Sequence, residues 1–389
     1  MTQKMKVLVV AGARPNFMKV APLIKSIRRR NHEKEQRAVE IDCRLVHTGQ
    51  HYDLKMSEVF FEDLGIDAPE INLGVGSGSH AVQTANVMTR FEIVCETEGP
   101  DWIVVVGDVN STMACALVAA KMGLRVAHVE AGLRSFDRTM PEEINRLVTD
   151  SLADLLLTPS RDADDNLKRE GAPDSKIEFV GNVMIDALIA NLEKSRASTL
   201  PKQIGLARNG FVYVTLHRPS NVDSEHSLSA IVAELKRLAG EMPVVFPMHP
   251  RTRKMCEQFG ISLNSSKGLR VLDPIGYHDS LFLTENARLV LTDSGGLQEE
   301  STFFRTPCLT LRPNTERPVT ITMGSNKLTK LERIADDIAE VLNRQPRFGR
   351  IPPLWDGGAA ERIVDSLVKR NCFAAGDKPD QSVICGNHA

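Results

Sequence analysis

The chain has 389 residues, 42% hydrophobic and 25% charged, with a formal net charge of -2. That length exceeds one modest core and points to two domains, while the near-neutral balance offers nucleic acid no basic surface to hold. The seven cysteines, Cys43, Cys95, Cys115, Cys256, Cys308, Cys372 and Cys385, form no CxxC and partly sit in apolar runs, as reduced thiols of a cytoplasmic protein do.

The first stretch, MTQKMKVLVVAGARP, enters a strand-like run at once and lacks the pattern of a signal sequence. No run approaches the ~20 apolar residues of a membrane span. KVLVVAG is followed by the helical FMKVAPLIKSIRRR, then VEIDCRLVHTG and MSEVFFEDLG. The alternation continues through DWIVVVGD, NSTMACALVAAKMG, RVAHVEAG, PEEINRLVTDSLAD, LLLTPS and IEFVGN. Strands without alternating polarity, each followed by an amphipathic helix, predict a parallel sheet covered on both faces, a doubly wound α/β domain.

Between 193 and 210, EKSRASTLPKQIGLARNG loses the apolar period and reads as a linker. A second α/β series follows, with FVYVTLHR, PVVFPMHP, LRVLDP, RLVLTDSG and PCLTLRP as its strands. The expected division is a first Rossmann-like domain at 1–195 carrying catalytic acids and a second at 205–355 binding nucleotide. A helix at 356–372 is expected to pack back on the first domain, ahead of a mobile tail at 373–389.

Open parallel sheets bind ligands beyond the carboxyl ends of their strands, and the motifs stand there. GARPNFMK places Arg14 and Lys19 at a helix start that already favours anions, against the plainer reading of a solvated loop. TDSGGLQEE puts Ser294, Gly295 and Gly296 where successive N–H groups can cradle a diphosphate, with Glu300 one turn on for ribose hydroxyls. The glycines equally suit a tight turn and the glutamates a helix dipole. GVGSGS has GxGxG rather than GxGxxG spacing and reads as a loop, not a dinucleotide site. HTGQHYD, in a post-strand loop, is expected to lend Gln50 and His51 to the lining of the cleft, or to a regulatory site, rather than to a metal.

GDVNST ends a strand on Asp108, where capping by Asp108 or Asn110 is the competing explanation. HVEAG ends the next strand on Glu130, and MPEEINR opens a helix with Glu142 and Glu143. Asp108, Glu130 and Glu142 are expected to converge, with mutual repulsion raising at least one of them for proton transfer and Arg134 and Arg146 neutralising part of the charge. LHR places His217 opposite this acidic edge, and TERP brings Arg317 near the anion cradle.

GARP, TGQH, GDVNST, HVEAGLRS, MPEEINR, LHR, DSGGLQEE and TERP, in this order over about residues 6–370, resemble the non-hydrolysing UDP-N-acetylglucosamine 2-epimerases. The resemblance implies two Rossmann-like domains in the glycosyltransferase-B arrangement, a UDP-amino-sugar substrate, no cofactor and a homodimer. Arg14, Lys19, Asp108, Glu130, Glu142 and His217 match that family's active-site positions, and Ser294, Gly295, Gly296, Glu300 and Arg317 its nucleotide-binding ones. Asn16 stands where the family usually has an acid, and Ser280 where an aromatic near the uracil is common. GARP, GDVNST and SFDRTMPEEINR also look like relatives acting on UDP-2,3-diacetamido uronic acids.

The expected reaction is epimerisation at C2, UDP-GlcNAc to UDP-ManNAc, by anti elimination of UDP to a 2-acetamidoglucal and re-addition. The alternatives are a C2 epimerase of a UDP-2,3-diacetamido uronic acid and a glycosyltransferase working in the same cleft. A C2 hydrogen that is not beside a carbonyl is too weakly acidic for direct removal. Departure of UDP from C1 makes it removable, and two faces of C2 then require two proton-handling groups among Asp108, Glu130 and Glu142. His217, with Arg14 and Arg317, is expected to stabilise the departing diphosphate.

Overall fold

The computed structural model describes residues 3–33, 39–49, 61, 64–263, 267–345 and 347–376. Its first sheet holds β1 (Gln3–Ala11), β2 (Val39–His47), β3 (Ile71–Asn72), β4 (Trp102–Val106), β5 (Arg125–Val129), β6 (Leu155–Thr158) and β7 (Ile177–Phe179). All pairs are parallel, in the order β3-β2-β1-β4-β5-β6-β7. The second sheet holds β8 (Val212–Thr215), β9 (Val244–Pro247), β10 (Leu269–Leu272), β11 (Leu289–Thr292), β12 (Cys308–Leu311) and β13 (Asn326–Thr329). It is also parallel, in the order β10-β9-β8-β11-β12-β13.

Side chains of a strand point alternately to the two faces, so a sheet covered twice needs apolar residues at every position. In β1, Val7, Val9 and Ala11 join the core under the helix Arg14–His32, through Phe17, Val20 and Ile24. Leu8 and Val10 point the other way, to Val87 and Phe91 of the helix His80–Glu98 and Ala114 and Val118 of Asn110–Lys121. The second sheet repeats the arrangement, Val212 and Val214 entering one core and Phe211 and Tyr213 the other. This is why the strand runs showed no polar alternation.

The stretch read as a linker contains the end of the helix Val183–Arg196 and the short helix Leu200–Gln203. Ile185 and Leu188 of the longer helix pack with Leu281 and Val319 of the second half and with Trp355, joining the halves through an apolar contact. The helix Ala359–Gly376 lies against the first half, burying Ile363, Val364 and Leu367 in its core. Asp186 accepts from the N–H groups of Ala359 and Ala360, at 3.2 and 2.7 Å, and so satisfies the start of that helix. The tail expected at 373–389 begins inside this helix, which runs to Gly376, and the residues beyond it, like most of MSEVFFEDLG, lie outside the described residues. Among those described, no helix is long and apolar enough to cross a membrane.

Candidate active site

Strand order reverses between β1 and β4 in the first sheet and between β8 and β11 in the second. At such a switch point the two loops leave toward opposite faces and open a crevice at the carboxyl ends of the strands. Arg14 and Lys19 follow β1, Asp108 follows β4, and Glu130 follows β5. His217 follows β8, while Ser294 follows β11.

On the first sheet, Asn16 ties the exits of β1 and β4 together. Its Oδ1 accepts from the Ala13 N–H at 3.0 Å, and its Nδ2 donates to the Val106 carbonyl at 2.9 Å. One turn later, Lys19 Nζ stands 2.5 Å from Glu130 Oε2, with both side chains buried. A Cβ on Gly107 would stand 2.9 Å from that ammonium, so glycine leaves room for the pair. Glu130 has φ +70°, a left-handed backbone that costs a non-glycine residue about 1 kcal/mol or more. Its Oε1 has no hydrogen-bond partner among the described residues. Burial alone would lower the Lys19 pKa, but Glu130 and then Asp108 outweigh it and leave it raised.

The capping reading fails: Val109 occupies the N-cap of Asn110–Lys121, and no side chain caps that helix. Asp108 instead pairs with Arg146, whose buried guanidinium also lies 2.6 Å from Glu143. Glu143 is occupied further, accepting from the N–H groups of Ser135 and Phe136, each at 2.9 Å. Of the two adjacent glutamates it serves the loop, and Glu142 stays exposed on the first turn of Pro141–Leu152. Of the three acids expected to converge, Glu130 is met by Lys19 and Asp108 by Arg146.

On the second sheet, Ser294 is the N-cap of the helix Gly295–Phe304. A Cβ on Gly295 would stand 2.9 Å from the Arg317 guanidinium, whereas Gly296 faces open space. The helix start thus presents uncovered backbone with a cation beside it, which suits a diphosphate. His217 Nδ1 lies 2.9 Å from Asp293, which also accepts from the N–H groups of His217 and Arg218. Burial pushes Asp293 up, but His217 and these donors outweigh it and hold the carboxyl below its usual range. No described residue hydrogen-bonds His217 Nε2. Ser280 Oγ, at the position expected to be aromatic, meets the buried Tyr213 hydroxyl at 2.7 Å.

The two halves meet over these residues. Arg317 acts electrostatically on Glu299, Glu316, Glu130 and Asp108, and Glu142 acts on Arg218. Asn182 Nδ2 donates to Glu299 Oε1 at 2.8 Å, and Asn314 Nδ2 to Asp137 at 3.4 Å. Two carboxyls where the halves meet, Glu299 and Glu300, are raised: burial lifts both, Arg317 opposes it at Glu299, and Glu299 adds to it at Glu300, which reaches about 8. Burial also lifts Glu316, but Arg317 and Arg312 outweigh it and hold that carboxyl well below the usual range.

Sequence reasoning missed Asn182, Glu299 and the buried His128. A signal existed for Asn182, a polar residue closing the strand-like IEFVGN before a helix. Arg14 opens its helix, but its side chain, like Gln50 and His51, lies outside the described residues.

Comparison with known proteins agrees with this geometry. A family model described as UDP-N-acetylglucosamine 2-epimerase matches residues 33–368. The UDP-N-acetylglucosamine 2-epimerase of Methanocaldococcus jannaschii is 40% identical over 373 residues, covering 94% of this chain and 99% of that protein. The UDP-2,3-diacetamido-2,3-dideoxy-D-glucuronate 2-epimerase of Pseudomonas aeruginosa is 42% identical over 374 residues, covering 94% of this chain and all of that one (100%). The crystal structure of the M. jannaschii UDP-GlcNAc 2-epimerase in complex with UDP-GlcNAc and UDP superposes with a TM-score of 0.82 at 39% identity, over 94% of this chain and 100% of that one. Paired Rossmann-like domains in the glycosyltransferase-B arrangement, matched nearly end to end, establish that the chain belongs to the UDP-N-acetylglucosamine 2-epimerase family.

Proposed function

We propose that the chain interconverts UDP-GlcNAc and UDP-ManNAc by anti elimination and re-addition, with the substrate held between the two switch points. The observation that carries this reading is Glu130, buried, paired on one oxygen with Lys19 and unpartnered on the other among the described residues, under the field of Arg317 from the nucleotide side. The C1–O bond breaks and its electron pair leaves with UDP. The C2 proton passes to a carboxylate, and a C1–C2 double bond forms. Re-addition of UDP at C1 accompanies proton delivery to the opposite face of C2. Asp108, Glu130 and Glu142 supply the base, the acid and a hydroxyl contact; Arg14, Lys19, His217 and Arg317 carry the charge of the departing diphosphate. Ser294, Gly295 and Gly296 hold the diphosphate and Glu300 the ribose.

The 42% identity to the P. aeruginosa relative supports a second reading, in which the sugar is a UDP-2,3-diacetamido uronic acid. Proton NMR of both substrates in deuterium oxide distinguishes the two. Epimer carrying deuterium at C2 is expected, and epimer formed with its C2 protium intact removes the elimination scheme. Epimer from UDP-sugar alone also excludes the glycosyltransferase alternative, which needs an acceptor. Val82 and Ile93, exposed on one face of the helix His80–Glu98, support a homodimer. The unpaired cysteines, Cys95, Cys115, Cys256 and Cys308 among them buried, support a cytoplasmic enzyme.

A further inference from the structure

Behind Asp108 lies a buried charged chain that takes no part in the chemistry described so far. His128, in β5, is fully buried. Its Nδ1 lies 2.6 Å from Asp150 Oδ1, and its Nε2 lies 2.8 Å from the Gly107 carbonyl oxygen. Both partners present oxygen acceptors, so the ring bridges the Asp150 carboxylate and the Gly107 carbonyl. Asp150 is tied in turn by the Gly132 N–H at 3.0 Å and by Arg134 at 2.7 Å, and Arg134 is held by Glu170 at 2.6 and 2.8 Å. Burial pushes the Asp150 carboxyl up, but His128 and Arg134 outweigh it and keep it below its usual range, an ionised partner for the ring.

This chain ends on the peptide that carries Asp108. The Gly107 carbonyl takes the His128 hydrogen bond, while the Asp108 carbonyl accepts from Asn145 Nδ2 at 2.9 Å. The preceding Val106 carbonyl accepts from Asn16 Nδ2 at 2.9 Å and Thr112 Oγ1 at 3.0 Å. Gly107 has φ +71° and donates its own N–H to the Val129 carbonyl at 3.0 Å, so a set of hydrogen bonds holds a turn that glycine itself leaves soft. Asn145, Arg146 and Asp150 all belong to the helix Pro141–Leu152, which bears Glu142 on its first turn. One helix therefore sets the backbone and side chain of one acid and carries another.

We infer that His128 is a positioning residue for Asp108, its ring linking Asp150 to the Gly107 carbonyl and fixing the angle at which Asp108 meets C2. The inference rests on the reading that Asp108 handles a proton at C2 of a UDP-amino-sugar. Two variants separate positioning from mere packing. In His128→Asn the amide overlays Nδ1, keeping Asp150 and abandoning Gly107; in His128→Gln the amide nitrogen overlays Nε2 and still reaches Gly107.

The experiment measures kcat, KM, UDP affinity and deuterium entry at C2 of recovered substrate and of product. His128→Asn is expected to lower kcat about thirtyfold or more, to leave KM and UDP affinity within about twofold, and to change the ratio of deuterium entering substrate and product. His128→Gln is expected to recover kcat to within about fivefold of the unaltered protein. His128→Asn with unchanged kcat, or equal losses in both variants, overturns the inference while the epimerase reading stands. Unaltered protein that forms epimer without deuterium at C2 overturns the mechanism, and this inference with it.

Discussion

Glu300 gives the sharpest test of the electrostatics, because its isosteric replacement should stabilise the protein while weakening its ligand. The residue is buried in the helix Gly295–Phe304, and burial, reinforced by Glu299, lifts its carboxyl from 4.5 to about 8. Between those values the folded protein holds a proton that the unfolded chain has released, so stability falls as pH rises through the window. At ~1.4 kcal/mol per pH unit, complete ionisation corresponds to on the order of 4–5 kcal/mol. Water entering with the charge softens this to about 2–3 kcal/mol.

Glu300→Gln removes the titration. In urea unfolding without nucleotide, the variant is expected to match the unaltered protein near pH 4.5 and to exceed it by about 2–3 kcal/mol at pH 8.5. In the same variant at pH 8.5, where the unaltered carboxyl is mostly ionised, calorimetric titration with UDP is expected to show affinity reduced about tenfold or more, because an amide accepts less strongly than a carboxylate from ribose hydroxyls. Equal or lower stability of the variant at pH 8.5 refutes the burial argument. Undiminished UDP affinity refutes the ribose assignment separately.

Three further outcomes follow from the same contacts. Arg146→Met leaves the buried Glu143 without its cation, while the half-exposed Asp108 is partly rescued by water, so urea unfolding is expected to show a loss of about 2–3 kcal/mol. Asn182→Ala removes both the bond to Glu299 and the cap on Val183–Arg196, where Asn182 accepts from the Met184 N–H at 2.9 Å; about 2 kcal/mol of stability should disappear, and a loss below about 0.5 kcal/mol counts against a working contact between the halves. Asn16→Asp points a carboxylate at the Val106 carbonyl and beside Lys19, competing with Glu130; turnover is expected to fall about tenfold with UDP affinity within about threefold, and full turnover argues that the Lys19–Glu130 pair is dispensable.

Local chemistry in the sequence determined a great deal. The apolar runs that became β1, β4, β5, β8 and β11 were legible because a strand covered on both faces admits no polar alternation. Their exits were legible too, since glycine, proline and charge mark the turns where an open sheet binds its ligand. What stayed hidden was how side chains distant in the chain pair. Lys19 reaches Glu130 across 111 positions and Asn182 reaches Glu299 across 117, and no local period encodes such contacts. Nor does MPEEINR by itself say that Glu143 is spent on the loop while Glu142 is left exposed. Tertiary structure decided the charge state of the site as well, for Glu300 is an ordinary helix carboxylate until the second half closes over it and withdraws its water.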